Sequence, residues 1–405
     1  MTNQPPLLKN HSFLYFFSGN VLSRFGDAFF SVALTWLVFS QNHSIFDTSL
    51  ISAVSTLTMV LVSPFCGLLT DRSNRKVLLL AAHFINGLAV LAAALVYLSS
   101  GELPIWLGLL IVLVLYTTRS LIEPTESSLL PELISKNVFA KAVGYFMASD
   151  QLARLLGQGA AGYLLLWLGA GPSVALNALC FFITVLLLLA ARLPTFVRKP
   201  TSKPPALRED FRSGLHYIWT HPFLIGILIS AFFANSAMAL VTPFYPALAD
   251  QVGNGLSTYS LLQMIMTCGG ILAGLLTAPI IKKIPAGLLL PLSLSLCGLA
   301  FSLILFQLNI ITLLVSGFTV SFAAMLFNAT LESILVLLVD SQYRGRVNGL
   351  SVTIVMFSMP FFILVSGWIG DHIGYRLPFL FAVILLFSAS TLLLTNHHVR
   401  KIKVT

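Results

Sequence analysis

The stretch Gly67-Leu68-Leu69-Thr70-Asp71-Arg72-Ser73-Asn74-Arg75-Lys76 separates two long apolar runs. It is too short to link two domains, and its charges cannot lie in hydrocarbon without cost. It therefore reads as a tight turn joining two helices at a membrane surface. The order of its residues is informative: a small Gly67, an acid at Asp71, a turn residue at Asn74, and the basic pair Arg75-Lys76.

Composition agrees with that reading. The chain has 405 residues, of which 57% are hydrophobic and only 9% charged. Its apolar runs exceed the ~18 residues that mark a membrane-crossing helix. The expected class is an all-α integral membrane protein whose partners are the lipid bilayer and a small-molecule substrate. The net charge of +9 is not gathered into a basic patch with interleaved aromatics, so no nucleic acid partner is expected. Cys66, Cys180, Cys268 and Cys297 lie inside apolar runs without CxxC spacing, which points to small core residues and no metal. No cleavable leader is evident before the first run.

A hydrocarbon core of ~30 Å needs about 20 helical residues. On that ruler twelve spans fit, at roughly 13–39, 48–69, 77–99, 104–130, 139–168, 172–193, 222–248, 257–281, 286–306, 309–334, 346–370 and 375–396. The Pro-rich basic connection between spans 6 and 7 divides the chain into a bundle at 1–193, a linker at 194–221 and a bundle at 222–405. Lys and Arg fall on one side: all but Arg24, Arg119, Arg154 and Arg376 of the 23 lie at the termini or in even-numbered connections. Cytoplasmic segments carry such an excess, so both termini are expected in the cytoplasm and the chain in the inner membrane.

The two halves echo one another. Gly67-Leu68-Leu69-Thr70 recurs as Gly274-Leu275-Leu276-Thr277, and Glu126-Ser127 as Glu332-Ser333. Lys141-Ala142-Val143-Gly144 is matched in character by Arg346-Val347-Asn348-Gly349. Three echoes in order at nearly constant offset argue for a duplicated six-helix unit, an architecture of secondary transporters.

On these residues the chain resembles the major facilitator superfamily over nearly its whole length. Gly67, Asp71, Arg72, Arg75 and Lys76 match the family's motif A, with Asn74 where Gly is usual, as a residue tolerant of a left-handed turn. The second half keeps Gly274 and Lys282-Lys283 but has Ala278 in place of the acid. Ser23-Arg24-Phe25-Gly26-Asp27, Ala33-Leu34-Thr35-Trp36, Leu130-Pro131-Glu132-Leu133 and Arg344-Gly345-Arg346-Val347 resemble the exporter branch holding macrolide-efflux and enterobactin-exporter proteins. Glu126 stands where that branch would have a basic residue. The resemblance implies two pseudo-symmetric six-helix bundles, alternating access, and a cavity lined by spans 1, 4, 7 and 10. It also implies a gate in which Asp71 meets the N-terminus of span 11 near Gly345 to Gly349, with Gly67 packed closely beside it.

Each ionisable group inside a span needs a partner or a cavity, at a cost of ~2.5–3.5 kcal/mol otherwise. Arg24 and Asp27 are spaced i,i+3, Arg119 and Glu123 i,i+4, and Asp150 and Arg154 i,i+4, as same-helix partners would be. For Asp150 and Arg154 a static pair is the plainer reading. Asp27, Arg24, Arg119 and Glu123 are the candidates for coupling or substrate binding, because a mid-span carboxylate can change protonation when substrate enters. Glu126 is expected to meet Arg72 or Arg75 at the inner gate, with solvation in the cavity as the alternative. Asn20, Trp36, Tyr116, Asn235, Gln263, Asn328 and Glu332 are expected in the cavity wall. Gly157-Gln158-Gly159-Ala160-Ala161-Gly162 marks close helix packing in span 5.

No GxxxxGK[ST] loop occurs, so the expected energy source is a proton gradient without ATP or other cofactor, and no enzyme motif is found. The sequence thus points to a monomeric secondary transporter exporting a small amphipathic compound, such as a macrolide or a siderophore, by proton antiport. Transport of a lysolipid or iron chelate, even inward, stays open on this fold, as does a non-transporting receptor.

Overall fold

A computed structural model describes residues 10–134, 138–193, 207–340, 343–400 and 402, apart from the side chains of Leu68, Asp71, Arg72, Leu207 to Phe211, Gly214 and His398. Among these residues the chain is helical throughout. The first six helices are α1 (His11–Asn42), α2 (Ile45–Arg72), α3 (Arg75–Ser100), α4 (Ile105–Leu133), α5 (Phe139–Leu168) and α6 (Ala170–Ala190). Next come α7 (Leu207–Thr220), α8 (Pro222–Val241), α9 (Tyr245–Val252), α10 (Leu256–Ile281), α11 (Ala286–Phe306) and α12 (Ile310–Leu338). The last four are α13 (Arg344–Phe357), α14 (Met359–Ile373), α15 (Arg376–Thr395) and α16 (His397–Arg400).

Eleven stretches are long and apolar enough to cross a membrane, and they coincide with eleven of the twelve expected spans. The twelfth, α5, is 30 residues long but carries Asp150, Gln151, Arg154 and Gln158, which dilute its hydropathy. Two spans are broken where hydropathy runs on. Pro243 interrupts the seventh at a 3-10 turn over Thr242–Phe244, and Pro360 follows the break at Ser358 in the eleventh. Proline lacks the amide that a helix interior requires. Phe65, Trp106, Trp167, Leu275 and Phe306 point outward, as lipid-facing side chains do.

The connection between the sixth and seventh spans contains a helix that hydropathy did not reveal. One face of α7 packs inward through Tyr217 and Ile218, while Arg212, His216 and Trp219 stay exposed. The Tyr217 ring stacks on Tyr343 at 4.6 Å and on His221 at 4.1 Å.

The chain divides into two compact units, Met1–His43 with Leu57–Thr201, and Ser44–Thr56 with Ser202–Thr405. The boundary therefore falls inside α2, whose first turns pack with the second unit. In the first unit α1 lies against α5 and α6, and α3 against α4 and α6. In the second, α8 lies against α14 and α15, and α11 against α12 and α15. The same helix pairs recur, which is the duplication read in the sequence.

Small residues permit the closest crossings. A Cβ at Gly157 of α5 would overlap the Phe25 carbonyl and sit 3.1 Å from the Phe29 nitrogen of α1. Gly157→Val is therefore expected to destabilise the first unit by about 1–3 kcal/mol or more, read as a lowered unfolding temperature in detergent. An unchanged temperature would show that the α1–α5 crossing can relax.

Candidate functional site

The first unit holds a cluster of charged side chains. α1, α4 and α5 bring them to a common depth, because Arg24, Arg119, Glu123, Glu126 and Asp150 all lie some 7–14 residues from neighbouring helix ends, or roughly 10–20 Å. Arg24 is the hub. It pairs with Glu126 at 2.9 Å, with Glu123 at 3.3 Å and with Asp150 at 3.3 Å. Arg119 pairs with Glu123 at 3.0 Å, and Arg154 with Asp150 at 3.0 Å. Asn20 is buried close to Glu126. The guanidinium of Arg24 can serve three carboxylates because its donors are spread in a plane.

Asp27 stands apart. It makes no ion pair or hydrogen bond among the described residues, yet its charge is felt by Arg119, Arg24 and Arg154. The cluster thus contains three guanidiniums and four carboxylates. One carboxylate is in excess, and a single proton would balance it. Beneath α1 lie further polar groups: His83 faces the Ser23 hydroxyl at 3.4 Å, and Asn86 accepts from Thr118 at 2.6 Å. The side-chain amide of buried Asn177, beside Gly26, has no partner among the described residues.

The structure redistributes several expected partners. Glu126 meets Arg24, whereas the acid that meets Arg75 is Glu132, nearly two turns further along α4. Arg75 is buried and also donates to the Ser128 carbonyl at 3.3 Å. Asp150 and Arg154 are joined to Arg24, so their pair belongs to the cluster and is not isolated. The sequence showed this pair but not its depth match with Arg24, which counting residues from the helix ends would have found.

Asn74 does not use a left-handed turn. At φ −69° it caps α3, accepting from the Lys76 and Val77 amides. Lys76 donates to the Leu189 and Ala191 carbonyls at 3.1 and 2.7 Å, at the negative end of the α6 dipole. The basic pair of the turn is therefore fixed within its own bundle. Glu132→Ala should leave the Arg75 guanidinium without its carboxylate and cost about 1.5–3 kcal/mol of stability, measurable as a thermal shift. No shift would mean that Ser128 and water suffice.

The backbone of Asp71 and Arg72 closes α2, but their side chains lie outside the described residues. A Cβ at Gly67, Gly345 or Gly349 would meet nothing within 4 Å among the described residues. Of the expected cavity wall, Asn20 is buried in the cluster, Tyr116 lies within electrostatic reach of Arg119, and Trp36 packs on Phe39.

In the second unit Asn235 donates to its own helix at the Ala231 carbonyl, and Gln263 to the Tyr259 hydroxyl. Asn328 and Glu332 are exposed one turn apart on α12. Glu332 lines a cavity of about 350 Å³ with Leu335, Val339, Arg344, Gly345 and Asn348. It forms no ion pair among the described residues, unlike its counterpart Glu126.

Comparison with known proteins agrees with this architecture. The chain is 20% identical to macrolide efflux protein A of Streptococcus pyogenes, over 96% of this chain and 97% of that protein. It is 22% identical to the multidrug efflux pump Tap of Mycobacterium bovis, over 91% and 89%. The solved nucleoside transporter NupG superposes with a TM-score of 0.80 at 12% identity, covering 95% of this chain and all of that one, and so shares the fold. The transmembrane secretion effector model matches residues 2–405. With the duplicated six-helix units and the match running from end to end, the chain belongs to the transmembrane secretion effector family of the major facilitator superfamily of membrane transporters.

Proposed function

We propose that the protein exports a small amphipathic compound across the inner membrane by proton antiport with alternating access, both termini facing the cytoplasm. The observation that carries this reading is the cluster around Arg24, in which four carboxylates meet three guanidiniums and Asp27 alone lacks an ion pair. Inside a membrane an unbalanced charge is unfavourable. A proton on Asp27 removes the imbalance, and so does the positive group of a substrate. Antiport follows when the two compete for one carboxylate, because each can occupy the site only after the other has left.

The remaining cluster members set the field that Asp27 feels. Arg24 is held by three acids and stays in place, while Arg119 and Arg154 each keep donors beyond the one used by their partner. Relatives named as a macrolide efflux protein and a multidrug pump support export of drug-like amphiphiles. The excess of Lys and Arg in alternate connections supports the orientation. A monomer suffices, since each chain contains both units.

The test uses inside-out vesicles acidified by respiration and a pH-sensitive dye. Adding macrolides, cationic dyes or metallophores one by one should collapse the gradient for at least one class in vesicles with the protein, and for none without it. A panel that leaves the gradient untouched, with the protein shown to be inserted, would remove the antiport reading.

A further inference from the structure

The helix between the sixth and seventh spans, α7, has an outward face that its own bundle leaves unused. Its inward side chains are accounted for. Tyr217 and Ile218 are buried in one apolar cluster with Leu224 and Leu228 of α8, Val339 after α12, and Val347 and Leu350 of α13. These partners sit in the first two turns of α8 and α13 and at the end of α12. α7 is therefore held at the level where three membrane-crossing stretches begin or end, which is the depth of the lipid headgroups. Tyr217 fixes it there by stacking on Tyr343 and accepting from the Asp340 amide at 3.3 Å.

On the other face Arg212, His216 and Trp219 follow one another at i, i+4 and i+7, and so form one stripe along α7. All three are exposed, Trp219 at 67%, and neither Arg212 nor His216 forms an ion pair among the described residues. Positive charge gathers around the stripe. The connection from Arg192 to His221 carries six Lys and Arg against Glu209 and Asp210. The first turn of α13, against which α7 packs, exposes Arg344 and Arg346 beside Asp340. A face that joins an indole to guanidiniums suits neither bulk water nor hydrocarbon. It suits the layer between them, where a tryptophan ring lies among headgroups and cations meet phosphate oxygens. Trp36, Trp106, Trp167 and Trp368 fall near the opposite ends of their spans, so Trp219 is the indole available at this surface.

We propose that the outward face of α7 is a binding surface for anionic phospholipid headgroups, with Trp219 inserted among them and Arg212 and His216 donating to their phosphate oxygens. On the orientation proposed above the leaflet is the cytoplasmic one, but the contact depends on neither the export nor the antiport reading. The lipid seats α7 from outside while the Tyr217 cluster holds it from inside, which keeps the entry of the seventh span at a constant depth.

The test is quenching of Trp219 fluorescence in the full-length protein, reconstituted into vesicles of phosphatidylcholine and phosphatidylglycerol in equal parts. Trp36, Trp106, Trp167 and Trp368 are replaced by Phe, and one lipid or the other carries bromine on the acyl carbons next to the headgroup. Quenching by brominated phosphatidylglycerol should exceed that by brominated phosphatidylcholine about twofold at low salt. High salt should shrink the excess, because exposed charges are screened. Arg212→Gln combined with His216→Gln should remove most of it. A protein that keeps only Trp167, 73% exposed on α5, should show no preference and so controls for lipid mixing. If the variant with four replacements does not insert, the difference between wild type and Trp219→Phe reads the same quantity. Equal quenching by the two lipids, or an excess that neither salt nor the Arg212 and His216 changes reduce, would overturn the proposal. Quenching by neither lipid would place α7 in water and overturn it as well. Fluorescence needs no substrate, so each of these results stands whether or not a transported compound is found.

Discussion

Replacing Arg24 by Ala is expected to cost the first unit most of its stability. The change would leave Glu126 and Asp150 without their shared cation and reduce the cluster to two guanidiniums against four carboxylates. Breaking one buried ion pair by removing a single partner costs about 3–5 kcal/mol, and here three pairs share the partner. At ~1.4 kcal/mol per factor of ten, that amounts to a shift of at least two orders of magnitude in the folding equilibrium. Inserted, detergent-stable Arg24→Ala should therefore fall far below wild-type levels. Arg24→Lys should recover part of the loss, because it restores the charge but not the planar set of donors that reaches three acids. Adding Glu126→Gln to Arg24→Ala should also recover part of it, since one orphaned carboxylate is then removed. A double variant no better than the single one would mean that Arg24 stabilises the bundle by packing and not by charge.

Asp27→Asn is expected to do the reverse, sparing the fold and removing energised transport. No ion pair or hydrogen bond among the described residues is lost with the carboxylate, and the cluster becomes balanced without a proton. Its unfolding temperature should stay close to wild type, within the ±0.5 kcal/mol typical of changes that break no contact. Efflux driven by a pH gradient should drop at least tenfold, and the remaining movement should no longer respond to the gradient. Downhill exchange of substrate across proteoliposomes should be weaker but no longer linked to proton movement, because the substrate's positive group loses the carboxylate it shares with the proton. The informative comparison is efflux with and without an uncoupler. If Asp27→Asn vesicles remain as sensitive as wild type, the coupling carboxylate is another member of the cluster.

Much of this architecture is legible from residue types alone, for reasons that also explain what is not. Hydropathy locates spans because the bilayer imposes one length and one solvent on them, and α3, α10 and α11 begin and end within about two residues of the positions it sets. It is blind to α7, whose apolar face is only a few residues wide, and to the breaks at Pro243 and Ser358, which do not alter mean polarity. Pairs on one helix, such as Arg119 with Glu123, follow from the i,i+4 rule. Partners on different helices depend on how each is rotated about its axis, which the composition of a nearly all-apolar helix does not encode. For that reason Glu126 was expected at the basic turn but lies against Arg24, while Glu132 takes its place. Asp371 carries no such signal, since an acid at the end of a span has the pattern of ordinary surface charge, whereas in the structure it accepts from Ser44, Ile45 and Phe46.

The unlike fates of Glu126 and Glu332 bear on how such a protein can diverge. In the first unit a change at any of Arg24, Asp27, Arg119, Glu123, Glu126, Asp150 and Arg154 alters the charge balance felt by the six others. The matching helix of the second unit, α8, contains no acidic, basic or histidine residue, and Glu332 forms no ion pair among the described residues. A substitution at Glu332 therefore leaves no ion-pair partner behind among the described residues. The two halves of the duplicated fold thus differ in kind: one bundle carries a shared network of charge, and the other carries Glu332 without an ion-pair partner among the described residues.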